Sequence, residues 1–159
     1  MVKKKTILLV APYYPPHSGG LERYVEEVAL GLDSSNKWKV VVLTTSENNK
    51  ESIQENGDIK IHRLKYNLKI SNTPLSASWL FKVRKIIKEI NPDIVNVHTP
   101  VPGLGDIASF LTPRKTPLVV TYHSGSMKKV EFLKYVLIFL YESVFMPFML
   151  RKARKIICS

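Results

Sequence analysis

The stretch TILLVA (Thr6–Ala11), followed by PYYPPHSGG (Pro12–Gly20) and LERYVEEVALGLD (Leu21–Asp33), decides the fold. TILLVA is short, wholly apolar and rich in branched residues, the pattern of a parallel strand buried on both faces. Helix is excluded in PYYPPHSGG by three prolines and two glycines. In the third piece Tyr24, Val25, Val28, Ala29 and Leu32 recur at helical spacing and form one apolar stripe. Glu22 falls in the first turn, where the positive end of a helix favours a carboxylate. The three together read as strand, loop and amphipathic helix.

Outward from this unit the alternation repeats. KVVVLTT (Lys39–Thr45) is a second strand, and Ser46–Gly57 is polar and loop-like. DIKIHRL (Asp58–Leu64) alternates as a half-exposed strand does. Leu75–Ile90 is a second helix, with Leu80, Val83, Ile87 and Ile90 inward and Lys82, Lys85, Lys88 and Glu89 outward. Asn91-Pro92 ends it. DIVNVH (Asp93–His98) and PLVVTYH (Pro117–His123) are strands separated by a short helix that closes near Leu111. A long apolar helix over roughly Val130–Ala153 leads into a last strand, KIICS (Lys155–Ser159). The order β-α-β-β-α-β-α-β-α-β predicts a single α/β domain, a mostly parallel Rossmann-like sheet with helices on both faces.

Composition agrees with one globular domain: 159 residues, 45% hydrophobic and 23% charged. A single cysteine, Cys158, excludes an internal disulfide and a multi-cysteine metal site. The apolar run behind Met1-Val2-Lys3-Lys4-Lys5 is too short for a secretory signal, so a cytoplasmic location is expected. The apolar segment Phe132–Leu150 approaches bilayer length, but Lys134, Glu142 and Pro147 interrupt it, and it reads as a buried or interfacial helix. Net charge is +11, with +2 over residues 1–50, +4 over 51–90, zero over 91–127 and +5 over 128–159. Basic segments that flank a neutral middle read either as solvated helix faces that aid solubility or as a surface for an anionic membrane, contacted peripherally, and not as the compact basic and aromatic face of a nucleic-acid module.

Chemistry-bearing residues gather at one predicted edge. His17, His98 and His123 each follow the C-terminal end of a strand, the edge where open α/β sheets bind ligands. His62 lies within a strand and reads as structural or exposed. Ser18-Gly19-Gly20 precedes a helix, where free N–H groups face an anion and glycine permits close approach. It is neither a dinucleotide fingerprint nor a phosphate-binding Walker loop. Ser124 and Ser126 adjoin His123 without a nucleophile-elbow motif. Asp93 and Asp106 are candidate acids, but Asp93 opens a strand at the opposite edge. The three histidines make a zinc site conceivable, although no spacing demands one.

Four segments carry a resemblance. APYYPPHSGGLERYVEEVALGL, PDIVNVHTP, PLVVTYHSG and RKARKIICS resemble, in order and spacing, the N-terminal domain of the retaining, GT-B-type glycosyltransferases of family 4. Arg154 stands where that family commonly has Asp. The resemblance implies that residues 1–159 form an acceptor-side Rossmann-like domain. The donor-binding second domain, with its E-x7-E element, is expected beyond this chain or on a separate one. It further implies His123 as the catalytic-site side chain contacting the donor sugar, Gly19 and Gly20 near the donor phosphates, and His98 on the acceptor side. His17 and Ser124 are expected in the same substrate site. The substrate is then a nucleotide sugar, with transfer of a hexosyl group to a glycan or lipid-linked acceptor and no cofactor or metal. This chain by itself is expected to be inactive. A non-catalytic Rossmann-like module that binds a partner chain or membrane is the alternative. Nucleic acid is not an expected partner, since charge alone favours it.

Overall fold

The structure, a computed structural model, describes residues 3–70, 72–123 and 141–159. Along the chain run β1 (Lys5–Val10), α1 (Gly20–Ser34), β2 (Trp38–Thr45), β3 (Ser52–Asn56), β4 (Ile59–Leu64), β5 (Leu68–Ile70) and β6 (Thr73–Leu75). Next come α2 (Trp79–Ile90), β7 (Ile94–Thr99), α3 (Leu104–Leu111) and β8 (Leu118–Tyr122). A π-helical turn at Tyr141–Phe145, a helix at Met146–Lys152 and β9 (Lys155–Cys158) follow. The predicted alternation holds, as does the α/β class. Of the long helix expected from Val130, the part before residue 141 lies outside the described residues. Among the described residues no helix is long and apolar enough to cross a membrane.

Seven strands form one sheet in the order β3-β4-β2-β1-β7-β8-β9, every pair parallel except β3 with β4. From β1 the chain builds outward through β2 and β4, then returns to lay β7 on the other flank of β1. The strand order therefore reverses between β1 and β7, which opens a crevice at their C-terminal ends.

Period-two alternation divides the core between the sheet's faces. Leu8, Val10, Val41, Leu43, Val95, Val97, Leu118 and Val120 pack on one face beneath α2, α3 and the Met146–Lys152 helix. Ile7, Leu9, Val40, Val42, Ile59 and Ile61 pack on the other with Val25 and Ala29 of α1. Asp93, a candidate acid in the sequence, serves the sheet instead. Its Oδ2 accepts the Thr6 N–H at 2.7 Å and ties the starts of β1 and β7 together.

Three elements depart from expectation. β3 lies inside the stretch expected to be loop. It is a polar edge strand paired on one side only, so it carries no apolar period. β5 and β6 form a small antiparallel hairpin that takes up Leu75, so α2 begins at Trp79. The inner face of α2 is Trp79, Val83, Ile86 and Ile87, while Leu80 is exposed and Ile90 half-buried. Asn91 ends α2 in the left-handed conformation, which asparagine tolerates, and its N–H caps the Ile87 carbonyl. Gly103, ahead of α3, has φ 115°, and a Cβ there would sit 3.0 Å from Leu75 Cδ2 and 3.2 Å from the Pro74 carbonyl oxygen. Only glycine meets both constraints.

Trp79 is fully buried and donates its indole N–H to the Lys65 carbonyl at 2.8 Å, joining α2 to the end of β4. Trp79→Ala should cost about 3–5 kcal/mol of unfolding free energy through the lost packing and the cavity left behind. Urea denaturation measures this, and a loss below about 1 kcal/mol would contradict the central place given to Trp79.

Candidate functional site

On β7, Val95 and Val97 point to the α2 face, so Asn96 and His98 point to the α1 face; on β8, Thr121 does the same. Parallel register sets His98 opposite Thr121 and leaves His123 one step beyond the end of β8 on the same side. The outcome is a polar stripe at the C-terminal ends of two adjacent strands. Asn96 Nδ2 donates to Thr121 Oγ1 at 2.9 Å. His98 Nδ1 and His123 Nε2 are 3.0 Å apart, and their rings stack with centroids at 5.3 Å and planes 20° apart. Tyr24, from α1, sets its ring edge-on to His123 at 5.0 Å and to His98 at 6.0 Å.

The two histidines differ in depth. His98 is 1% exposed, and its Nε2 is buried without a hydrogen-bond partner among the described residues. Burial, with a smaller contribution from His123, pushes its pKa down to about 3, so the ring stays neutral near pH 7. His123 is half-buried, and burial lowers its pKa against an upward pull from Glu22. Its other nitrogen, Nδ1, lies 2.8 Å from Ser159 Oγ at the end of β9. Both ring nitrogens of His123 are therefore engaged within the protein. Ser159 carries no site role in the sequence reading. The closing serine of RKARKIICS was its signal, but the partner lies 36 positions away.

The loop between β1 and α1 walls the other side of the crevice, clamped by β2, β4 and the hairpin. Ala11 N–H donates to the Leu43 carbonyl at 3.1 Å, Thr45 Oγ1 to the Pro12 carbonyl, and Tyr13 Oη to the Asn72 carbonyl. Arg63 of β4, nearly buried, donates to the Pro15 carbonyl and to Gln54 Oε1, and its guanidinium covers the Tyr14 ring at 5.9 Å. Sequence reasoning missed Arg63, because an alternating strand marks such a residue as outward-facing.

His17 stacks on Tyr13 with centroids at 4.2 Å, and its Nδ1 lies 2.8 Å from Glu22 Oε1, a distance of an ion pair but out of line for a hydrogen bond. It does not join the His98–His123 pair. Among the described residues no three histidine, cysteine or acidic side chains gather to hold a metal ion. Ser124 lies outside the described residues.

Among the described residues no side chain caps α1, and its first helical bond runs from Arg23 N–H to the Gly19 carbonyl at 3.2 Å. The N–H groups of Gly20, Leu21 and Glu22 thus precede the ladder and suit an anion. The two glycines are not equivalent. A Cβ on Gly19 would run into the Glu22 carboxylate, 3.0 Å from its Cδ, whereas a Cβ on Gly20 meets nothing within 4 Å. A side chain at the first would have to displace the Glu22 carboxylate, whereas the second borders open space. Gly20 also lacks a left-handed φ, so its backbone would not strain a side chain placed there. Asp106 is occupied elsewhere. It accepts the Gly103 N–H at 2.7 Å and the Tyr141 hydroxyl at 2.9 Å on the opposite face, and burial raises its pKa.

A family model described as Glycosyltransferase Family 4 matches residues 18–159. A D-rhamnosyltransferase of Pseudomonas aeruginosa, WbpZ, is 32% identical over 118 residues, which cover 73% of this chain and 29% of that protein. The chain thus spans less than a third of that relative's length.

A histidine held neutral in the fold and free to charge when unfolded makes stability depend on pH. His98 keeps its ring neutral down to about pH 3, whereas an unfolded histidine binds its proton near 6.5. Its contribution is complete above 6.5 and drains as pH falls toward 3, at about 1.4 kcal/mol per pH unit. Urea unfolding from neutral pH down to about 4 should show wild type losing stability faster than His98→Phe, and parallel slopes would contradict the buried neutral ring.

Proposed function

The chain belongs to glycosyltransferase family 4, and on that premise we propose that it forms the acceptor-side half of a transferase moving a hexosyl group from a sugar nucleotide to a glycan or lipid-linked acceptor. The observation that carries this reading is the His98–His123 pair facing the uncapped N-terminus of α1 across the reversal of strand order. Sugar transfer from a nucleotide builds negative charge on the departing diphosphate. N–H groups fixed at a helix start stabilise such charge without reorganising, and Gly20 leaves room for the phosphate to approach. Glu22 opposes an anion there, and His17 beside it is the group placed to offset that charge. His123, the more exposed of the pair, is assigned the donor sugar, which it would meet by exchanging its Ser159 contact for one to the donor. His98, shut away from solvent, acts behind it rather than as a contact to the acceptor.

The acceptor is proposed to be presented at an anionic membrane surface, with support from a cleft of about 1030 Å³ at the opposite sheet edge. Arg84, Lys88, Arg114, Lys115, Arg151 and Lys152 line it, and among the described residues no acidic side chain does. Phe110 and Phe148 stand in its wall 63% and 59% exposed, with ring centroids 6.4 Å apart. The lysine stripe on α2 is a poorer candidate than its spacing suggests, because Lys82 pairs with Glu51 and Lys85 approaches Glu89 at 3.8 Å. Lys152 is partly committed to structure, donating to the carbonyls of Ser109, Phe110 and Thr112 at 2.7–2.9 Å. The remaining cations are placed to meet lipid phosphate at about 1 kcal/mol each.

These 159 residues supply one wall of the proposed cleft. The chain by itself should therefore transfer no sugar, and a donor-binding half supplied in trans or by fusion should restore turnover. In that assembly His123→Ala should cost on the order of 2.7–4 kcal/mol of barrier if the ring acts on developing charge. Transfer by the isolated chain, or an unchanged rate in the variant, would defeat the reading. Separately, sedimentation with phosphatidylserine vesicles should show binding that high salt reverses and that Arg114→Glu with Lys115→Glu abolishes. Salt-insensitive binding would instead indicate an apolar mode.

A further inference from the structure

His98 sits where the sequence places a substrate contact, yet it is buried, and its two nitrogens are unequal. Nδ1 meets His123 Nε2 at 3.0 Å, and Nε2 has no partner among the described residues. Nor does His123 have a nitrogen to spare, since Nδ1 meets Ser159 Oγ at 2.8 Å. Three groups from three adjacent strands, β7, β8 and β9, thus form one hydrogen-bonded chain from the sheet interior to its exposed end.

The direction of that chain follows from which orphan is tolerable. A neutral histidine carries one proton. On Nε2 of His98, the proton would be a buried N–H with no acceptor, the rarer and costlier kind of defect. On Nδ1, it is donated to His123 Nε2, and only an unused lone pair stays buried. His123 must then carry its own proton on Nδ1 and donate it to Ser159 Oγ. The serine hydroxyl is left to donate onward, away from the ring.

We propose that His98 is a positioning residue: it donates to His123 Nε2, fixes His123 as the Nδ1–H tautomer, and completes with Ser159 a relay that runs across the strand ends from β7 toward β9. Its effect on turnover rests on the role assigned to His123 above, but the tautomer does not. A neutral imidazole in water prefers its proton on Nε2, so the fold selects the less common form. Edge-on contact with Tyr24 keeps both rings from turning out of line.

Ring ¹⁵N chemical shifts of this 159-residue chain, at neutral pH and without ligand, test the proposal directly. His123 should show a protonated Nδ1 and an unprotonated Nε2. His98→Phe, which keeps a planar ring without a donor, should return His123 to the Nε2–H form. His98→Asn, whose amide can donate from near the Nδ1 position, should preserve Nδ1–H and serves if the first variant does not fold. In the assembled transferase His98→Phe should lower kcat by roughly tenfold, the worth of one hydrogen bond in the barrier, with KM little changed and His98→Asn recovering much of the loss. An Nε2–H tautomer in the wild-type chain overturns the relay whatever the activity. A tautomer that ignores His98→Phe in folded protein does the same. If the shifts come out as expected and His123→Ala still transfers sugar normally, the relay stands and the catalytic role of His123 falls.

Discussion

The fold depends on the position of β1. Hydrogen bonds hold it to β2 along its whole length and to β7 from Ile7 to Val10, and its side chains are buried on both faces of the sheet. A strand with no solvent face must be apolar throughout, which is why TILLVA lacks alternation. The chain leaves β1 toward one flank and returns to the other, so the loop after β1 and the end of β7 border one crevice. The α1 N-terminus and both histidines inherit their places from that arrangement.

Polar groups buried at the strand ends exact a cost that apolar packing would not. Asn96, Thr121, His98 and Thr99 lie almost out of water, and among the described residues all their side chains find partners except at the buried Nε2 of His98. Such a stripe stays stable only if its hydrogen bonds are complete and its histidines neutral. Burial supplies the neutrality, depressing both histidine pKa values. The same stripe faces the side covered by α1, whose Tyr24 edge is the one aromatic contact shared by both rings among the described residues.

Charge is organised by tertiary structure at the far edge. Cations from α2, the loop before β8 and the Met146–Lys152 helix are far apart in sequence, yet they line one cleft with exposed phenylalanines between them. Meanwhile the regular lysine spacing of α2 is partly neutralised by Glu51 and Glu89. The two sheet edges therefore differ in chemistry: neutral aromatic and polar groups at one, cations and bare aromatics at the other.

By itself, the sequence determined the α/β class, most of the strands and the family, because a doubly buried strand and an amphipathic helix each impose a local period on their residues. His98 and His123 were legible, together with His17, as lying at one edge, since each follows an apolar strand that had to lie parallel; that the first two meet and the third does not is read from the structure. What only the tertiary structure decided is non-local. β3 and the β5–β6 hairpin are too polar or too short to show a period, and pairing partners alone make them strands. Leu80 faces out and Ile86 in, because the β5–β6 hairpin delays the start of α2 to Trp79. Arg63 gripping the Pro15 carbonyl, Ser159 on His123 and Glu22 against Gly19 are contacts across a turn or a neighbouring strand, set by register. Period and composition report which face a residue occupies. The atom it meets there depends on how strands from distant parts of the chain are laid side by side.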